Sequence, residues 1–532
     1  MRSELKEKLI KLKSIEPYYF YFFLLLNLIP VLSFKFFPTV DGPAHLYNSN
    51  LIAELLKNPG SSLHDFFVFK DTINPNWFGH FTLSLFVFVF PGFIAEKLVL
   101  LIYLIGFPVS IRHLFRTLAI EDKYLLYMIF PFTYSFLFYY GFYNFNIGLV
   151  LFVFGVSFWL KYLNNLNIRK VIVLFLFSSL ICLFHLFIFA IFLLVVFLIN
   201  IQHVFFIKTD DKPAINNYGK HVMLQFIPLS FGLLILAEYI LFSQAKNTLS
   251  VYLPLMDIVT QLYNIMPAEG INYGKAAVFI KWIFFILTAF MVYFLIAKIY
   301  YNRIKTKYPL RNKIWLFATL IMLILIFIIP DSIGPIGFFT SRLILFFFIF
   351  LIIWLASQNV ASWFKVLVFL IINYINFALI LHNYLSVSRG CELAEEIHSV
   401  SRTIEPYSTV LPIINSDNFI YGHISNYLGA DKPMIILENY EAYLDHFPLK
   451  WNPKKISGSL FENLLAGNNF NDWVSSITQE NIINYVFVLN DQHETLNNAY
   501  SEMINKSLKS NYNLLYTGTD GTIKLFRKKN NP

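Results

Sequence analysis

Cysteine is scarce in this sequence: Cys182 and Cys391 are the only two among 532 residues. This scarcity excludes a disulfide framework and any C-x-x-C metal or redox motif. Charged residues make up only 14% of the chain, whereas soluble domains contain about a quarter. The sequence also has no glycine-rich phosphate loop and no internal repeat of the kind found in transporters built from matched halves. The low share of charged residues excludes a purely soluble protein.

Apolar residues are abundant instead. They make up 57% of the chain, with 60 phenylalanines, and they occur in runs of about 15 to 22 residues, near the length needed to cross a bilayer. The net charge of +9 comes largely from basic residues in short loops between these runs. Membrane orientation therefore explains the positive charge better than nucleic-acid binding does.

The apolar runs predict an α-helical polytopic membrane protein with about eleven transmembrane helices. Trp77–Phe90 is short and ends at Pro91, so we interpret it as an interfacial helix rather than a span. The predicted spans are Tyr18–Phe37, Phe93–Ile111, Tyr124–Tyr140, Ile147–Leu160, Val171–Leu183, Leu186–Ile201, Val222–Phe242, Ala276–Ala297, Ile314–Ile329, Leu343–Leu355 and Val366–Leu385. No small-residue cleavage site follows Phe37, so the first helix is predicted to stay uncleaved. The adjacent fifth and sixth runs are predicted to form a hairpin that turns at His185.

Positive charge follows the predicted inner side. The basic residues assigned to inner loops are Arg112, Arg116, Lys123, Lys161, Arg169, Lys170, Lys208, Lys212, Lys220, Lys298, Arg303, Lys305, Lys307, Arg311 and Lys313. This asymmetry predicts a multi-pass inner (plasma) membrane protein with a cytoplasmic N-terminus and an extracytoplasmic C-terminal domain. The predicted domains are a transmembrane domain over residues 1–385, with an outer first loop over 38–92, and a soluble α/β domain over 386–532.

The C-terminal region alternates short β-rich runs with helical segments. Strands are predicted at Thr409–Ile414, Met434–Leu437 and Asn484–Leu489. Tyr512–Tyr516 and Thr522–Phe526 are predicted to form a hairpin with Asp520-Gly521 at its turn. The region therefore reads as a small extracytoplasmic α/β domain.

Asp41 is the leading candidate for chemistry, in the segment Thr39–Asn48 at the outer end of the first span. One interpretation is that Asp41 caps a helix whose first turn contains Gly42-Pro43. The other is that its carboxylate lies at the membrane surface, where a lipid-linked substrate presents its head group. His45, four residues later, would lie on a nearby helical face.

The layout resembles the C-type (GT-C) membrane glycosyltransferases, which include protein O-mannosyltransferases and lipid A aminoarabinose transferases. The resemblance covers the whole chain in architecture but only short patches in sequence. These patches are Asp41 in the first outer loop, Asn74–His80, Ala95–Lys97, Thr340–Arg342 at the head of a late span, and the tail Tyr516–Arg527.

The resemblance implies an enzyme that moves a sugar from a polyprenyl-phosphate-linked donor to a glycan, lipid or protein acceptor on the extracytoplasmic face. Asp41 would be the general base, and Arg342 would bind the donor phosphate. Arg342 has an alternative role, which is pairing with Asp331 or with lipid head groups. Many members of the family carry two adjacent acidic residues in the first loop, whereas Gly42 follows Asp41 here. Either Asp41 acts alone, or its partner comes from elsewhere, or the chemistry differs.

Further candidates for substrate binding are His80, Glu96 and His185, each of which also has a structural explanation. His80 can be a surface anchor, Glu96 can mark the membrane interface, and His185 can cap a turn. A divalent cation is a possible cofactor, with His64, Asp65 and Asp71 near Asp41 and His45 in the sequence. Their spacing matches no recognised ligand pattern, so no metal site is predicted.

Two other functions remain open at this point. One is a non-enzymatic transporter or flippase for lipid-linked sugars, for which the repeats and midplane charges are lacking. The other is an envelope assembly protein whose outer domain binds partners. The composition, rich in Phe, Ile, Asn and Lys, hints at a bacterium.

Overall fold

The protein is mostly helical and divides into two compact units. The computed structural model describes residues 2–71, 74–120, 123–163, 165–206, 223–242, 249–268, 270, 273–301, 313–334, 336–358, 361–455, 483–491, 506 and 508–529. One unit, here called the helical unit, comprises Met1–Ser33, Leu101–Phe138 and Phe145–Ser386. The other, here called the mixed unit, comprises Phe34–Leu100, Tyr139–Asn144 and Val387–Pro532.

Fifteen α-helices are defined in the described residues. They are α1 Arg2–Asn27, α2 Ile29–Leu32, α3 Gly42–Lys57, α4 Trp77–Val87, α5 Gly92–Thr117, α6 Phe136–Tyr139, α7 Tyr143–Tyr162, α8 Ile168–Phe184, α9 Leu186–Phe206, α10 Ser230–Phe242, α11 Leu255–Tyr263, α12 Tyr273–Tyr301, α13 Lys313–Ile328, α14 Phe339–Ala356 and α15 Ser362–Val400. Short 3₁₀ helices include Ser62–Asp65, Tyr124–Phe132 and Ile424–Gly429.

Six helices in the described part of the chain are long and apolar enough to cross a membrane. They are Gly92–Thr117, Tyr143–Tyr162, Met223–Leu241, Ala276–Phe294, Phe339–Ala356 and Ser362–Thr403. The prediction of a helical membrane protein is therefore confirmed, but the count of eleven spans is not. Four more of the apolar helices, including Leu186–Gln202 and Lys313–Ile328, are only 10 to 17 residues long. Apolar composition alone does not fix where a helix ends, so the sequence overstated the number of full-length spans.

Two predicted segments show how well the apolar runs predicted where helices begin and end. The predicted span Tyr124–Tyr140 is wrong as a single α-helix, because it consists of a 3₁₀ helix, Tyr124–Phe132, followed by the short helix α6. Pro131 lies inside this segment and cannot donate a backbone hydrogen bond. The predicted break at His185 is confirmed, since α8 ends at Phe184 and the extended backbone of His185 separates it from α9. Several predicted inner-loop residues lie outside the described residues, namely Lys208, Lys212, Lys220, Arg303, Lys305, Lys307 and Arg311.

Buried charge in the helical unit is paired. The guanidinium of Arg112 on α5 donates two hydrogen bonds, of 2.5 and 2.7 Å, to the carboxylate of Glu16 on α1. Lys123 donates a third, of 3.2 Å, to the same carboxylate. Bidentate pairing of this kind compensates for removing a guanidinium from water.

The mixed unit contains a five-stranded sheet of order β5-β4-β7-β9-β8. The strands of the chain are β1 Phe67–Phe69, β2 Ser250–Val251, β3 Ser332–Ile333, β4 Thr409–Asn415, β5 Ile435–Ile436, β6 Leu449–Trp451, β7 Tyr485–Asn490, β8 Tyr512–Thr517 and β9 Ile523–Lys528. Strand β4 pairs in parallel with β5 and β7, whereas β9 pairs antiparallel with β7 and β8. The three predicted strands and the terminal hairpin are confirmed. At the hairpin turn Gly521 adopts φ +76°, and Asp520 accepts a hydrogen bond from the backbone of Thr522.

The predicted outer first loop belongs to the mixed unit together with the C-terminal residues. Its strand β1 pairs antiparallel with β6, with Phe67 opposite Trp451. The boundary between the two units falls between Ser386 and Val387, inside the 39-residue helix α15. No proline interrupts this helix, so the polar residues after Ser386 continue it without a break.

Candidate functional site

Asp41 occupies the N-cap position of α3 but does not cap the helix through its side chain. The hydroxyl oxygen of Thr39 accepts a hydrogen bond from the backbone N–H of Gly42 at 3.0 Å instead. Pro43 lies in the first turn, where a missing N–H costs nothing. Helix capping therefore does not account for the carboxylate of Asp41.

The Asp41 carboxylate lies in a partly buried, polar environment. Burial raises its pKa, and the nearby His45 and His423 partly offset that rise. The Nε2 atom of His423 is 3.9 Å from Oδ1 of Asp41. The hydroxyl of Tyr440 lies beside the carboxylate without reaching hydrogen-bond length. An aspartate whose pKa is raised is a better proton acceptor than an exposed one.

His423 is held by a second carboxylate. Its Nδ1 donates a very short hydrogen bond to Oε1 of Glu438. The other oxygen of Glu438 accepts hydrogen bonds from Ser425 at 2.7 Å and Asn426 at 2.9 Å. Burial opposes the charge on His423, but Glu438 outweighs burial and raises the pKa of the imidazole. Glu438 therefore favours the charged form of the imidazole that lies beside Asp41.

A third carboxylate, Glu441, lies between two histidines. His45 Nδ1 is 2.5 Å from Oε1 of Glu441, and His80 Nε2 is 2.8 Å from Oε2. All three side chains are buried. Burial favours the neutral carboxyl group, but the two histidines outweigh it and lower the pKa of Glu441 to about 2. Burial also opposes the charge on His45, yet Glu441 raises its pKa, whereas burial dominates at His80 and lowers its pKa.

The second ring nitrogen of His45 is fixed by the backbone. Its Nε2–H donates to the carbonyl oxygen of Gly141 at 3.1 Å. Gly141 adopts φ +89°, and a Cβ atom there would meet the backbone nitrogen of Gly42 at 2.8 Å. Only glycine fits this close approach without strain, so the orientation of His45 depends on it.

Helix α3 is tied to the segment that carries Glu441. The side-chain amides of Asn48 and Asn439 exchange hydrogen bonds of 2.9 and 2.8 Å. The hydroxyl of Tyr47 donates to the carbonyl oxygen of Met434 and accepts from the backbone of Ile436. These contacts fix the position of the residues after β5, including Glu441, relative to His45.

Glu96 belongs to the same network. Its carboxylate accepts a hydrogen bond of 2.9 Å from the hydroxyl of Tyr427. Tyr143 lies beside Glu96, 3.4 Å from the hydroxyl of Thr39, and its ring is 5.3 Å from that of His45. Four predicted site residues, Asp41, His45, His80 and Glu96, are thus brought together in the mixed unit.

The other two predicted residues, Arg342 and His185, belong to the helical unit. Arg342 is buried in the first turn of α14. The ring of Phe145 contacts both residues, with its centroid 5.6 Å from the guanidinium carbon and 5.4 Å from the His185 ring. Asp331, named as an alternative partner, interacts electrostatically with Arg342 and accepts a hydrogen bond from the backbone of Thr340.

Sequence reasoning missed the residues contributed by the C-terminal region, which are His423, Glu438, Tyr440 and Glu441. One available signal was the cluster Glu438–Glu441 directly after the predicted strand Met434–Leu437, because side chains that follow parallel strands often converge at one sheet edge. The three residues considered for a metal are not drawn together. Asp71 pairs with Lys450 at 3.5 Å, and His64 and Asp65 lie in the 3₁₀ turn Ser62–Asp65.

Chemically, the site combines a base of raised pKa, a cation beside it, and two imidazoles that converge on a carboxylate. Such a set can accept a proton from a hydroxyl group, and the His45, His80 and Glu441 side chains can ligate a metal ion. No family model and no curated protein sequence matches this chain.

Proposed function

We propose that the protein is a membrane glycosyltransferase that moves a sugar from a polyprenyl-phosphate-linked donor to an acceptor hydroxyl on the extracytoplasmic face. One observation carries this proposal: the partly buried carboxylate of Asp41 does not cap α3, has a raised pKa and lies 3.9 Å from the imidazole of His423. The resemblance to GT-C enzymes also implies that Asp41 is the general base.

In the proposed reaction the acceptor oxygen attacks the anomeric carbon of the donor sugar. Asp41 takes the acceptor proton, the bond between the anomeric carbon and the phosphate oxygen breaks, and polyprenyl phosphate leaves. The transition state has oxocarbenium character, as in other glycosyl transfers. General-base assistance of this kind typically contributes about 10²- to 10⁴-fold in rate.

The second carboxylate expected of the family has candidates in the C-terminal region. Of the three alternatives that the sequence left open, a partner from elsewhere in the chain is supported by Glu441, which interacts electrostatically with Asp41. Arg342 is our candidate for binding the donor phosphate, because it is a buried guanidinium at the head of a span and guanidinium groups bind phosphate oxygens in pairs. The acceptor would be a glycan, a lipid or a protein.

The proposed topology places the protein in an inner membrane, with a cytoplasmic N-terminus and an extracytoplasmic C-terminal domain. The supporting observation is the concentration of basic residues in the loops assigned to the inner side, such as Arg112, Arg116, Lys161, Arg169 and Lys170. Nucleic acid is not among the proposed partners.

The test compares envelope glycoconjugates by mass spectrometry in a deletion strain and in strains complemented with equal amounts of wild type, Asp41→Asn or Asp65→Asn. Asp65 is an exposed aspartate of the same loop, so it controls for the change of side chain. We expect the deletion to lose one defined sugar, which wild type and Asp65→Asn restore and Asp41→Asn does not. Full restoration by Asp41→Asn would remove Asp41 from the reaction. A deletion that changes no glycan would favour a non-enzymatic role.

A further inference from the structure

We propose that His45, His80 and Glu441 together bind one divalent ion of the zinc class. One ligand atom from each residue lies within 4.8 Å of the others, and all three side chains are buried. The binding claim does not depend on the proposed glycosyl transfer.

The donor set favours zinc over magnesium or calcium. Two imidazole nitrogens and one carboxylate form a set that zinc accepts in its three-ligand sites, with further positions left for water or substrate. Magnesium and calcium prefer oxygen ligands throughout. The described part of the site places no other carboxylate within hydrogen-bond distance of the two histidines.

His45 is already oriented as a metal ligand. Its Nε2–H donates to the carbonyl oxygen of Gly141, which leaves Nδ1 directed at Glu441. Histidines that bind metals usually donate their other ring N–H to a carbonyl or carboxylate oxygen, which fixes the tautomer. The reciprocal hydrogen bonds between the Asn48 and Asn439 amides hold the chain two residues before Glu441.

The charge balance of the surroundings also favours a cation. The hydroxyl of Tyr440 is electrostatically close to three carboxylates, those of Asp41, Glu438 and Glu441. A divalent ion held by His45, His80 and Glu441 would place further positive charge beside these carboxylates. Buried carboxylates require such compensation.

The ion would also connect segments of the mixed unit that are far apart in the sequence. His45 comes from α3, His80 from α4, and Glu441 from a segment 396 residues after His45. Closing so long a stretch of chain with one ion favours the folded state. Because His45 lies one turn after Asp41, the ion would hold the start of α3, and we assign it a positioning role.

The distances of 2.5 and 2.8 Å in the cluster are also those of hydrogen bonds, so shared protons are the competing explanation. The test uses full-length protein, purified in detergent with an affinity tag that lacks histidine, stripped with a chelator and then supplied with zinc. We expect about one zinc per chain by mass spectrometry of the metal, and a higher midpoint of thermal unfolding. His80→Gln and Glu441→Gln should each weaken zinc binding by on the order of 100-fold and remove the thermal shift.

Matched controls are His64→Gln and Glu438→Gln, which should keep one zinc per chain. Size-exclusion profiles establish that each variant is folded. If a ligand variant does not fold, the zinc content and the thermal shift of the wild-type protein decide whether the protein binds zinc. Wild-type protein that retains less than about a tenth of an equivalent, with no thermal shift, would show that the cluster shares protons only. Equal zinc in the ligand variants would place the ion elsewhere. Neither outcome would contradict the proposed glycosyl transfer, which the glycan comparison with Asp41→Asn tests separately.

Discussion

Among the single residues of the mixed unit, His423 has the contact with the clearest consequence for chemistry. Glu438 binds Nδ1 of His423, while Ser425 and Asn426 occupy the other oxygen of Glu438. The imidazole is thereby held with its Nε2 atom 3.9 Å from Asp41. A charged imidazole at this distance favours the ionised form of the partly buried aspartate, which is the form that a general base needs.

Glu438→Gln should therefore destabilise the protein in a pH-dependent way. Because the pKa of folded His423 is raised, its stabilisation is fully present below the unfolded value of about 6.5 and is lost as pH rises through the folded value. We expect a loss of about 2 kcal/mol near pH 6, shrinking at higher pH, from the missing charge-assisted hydrogen bond. Thermal unfolding in detergent between pH 5.5 and 9 measures it.

Glu405→Gln is the control for this experiment, since Glu405 forms an exposed ion pair with Arg527. Loss of this ion pair should lower the free energy of unfolding by less than about 1 kcal/mol. A Glu438→Gln effect of the same size at every pH would contradict the assigned role of His423.

At the scale of elements, the position of α4 determines where His80 lies. The side-chain oxygen of Asn144 accepts a hydrogen bond of 2.7 Å from the backbone N–H of Gly79, the residue before His80. Along the contact with α3, Ser49 donates to the carbonyl oxygen of His80, and Ser84 donates to that of Ser49. The two serine bonds fix the register of α4 against α3, and the Asn144 bond holds the start of α4.

Asn144→Ala should loosen the start of α4. The change removes the acceptor of the Gly79 N–H and should cost about 1–3 kcal/mol, measured as the unfolding midpoint in detergent. Asn58→Ala, which removes an exposed 3.4 Å hydrogen bond to Glu54, should cost less than about 0.5 kcal/mol. Similar losses for the two variants would show that Asn144 does not hold the helix.

On the scale of the whole molecule, the open question is which side of the membrane each unit faces. The chain has two cysteines, both buried, so both can be replaced to give a cysteine-free background. Arg116 lies at the end of a candidate span and Lys454 in the C-terminal part, and both are exposed.

Single cysteines at these two positions test the proposed topology. We expect a membrane-impermeant maleimide to label Lys454→Cys in intact spheroplasts, and Arg116→Cys only after permeabilisation, because the basic loops lie inside. The reversed pattern would overturn the assignment of the C-terminal domain to the extracytoplasmic side. Labelling of both positions in intact spheroplasts would contradict an odd number of spans between Arg116 and Lys454.

The sequence by itself determined the features that depend on local composition. Apolar runs are local, so the helical membrane character could be predicted, as could the helix break at His185 and the hairpin at Asp520-Gly521. Local patterns predicted the ends of helices less well. The run Tyr124–Tyr140 is largely apolar, yet it is not one α-helix. The candidate residue Asp41 was also visible, because it closely follows the first predicted span.

Only the tertiary structure decided which residues surround Asp41. His423, Glu438 and Glu441 lie nearly 400 residues later in the chain, and no periodicity connects positions so far apart. Their approach depends on contacts between α3 and the segment after β5, such as the Asn48–Asn439 pair. In the sequence Asp41 can be interpreted as a helix cap. It becomes a candidate base because folding places its carboxylate beside a histidine that another carboxylate holds.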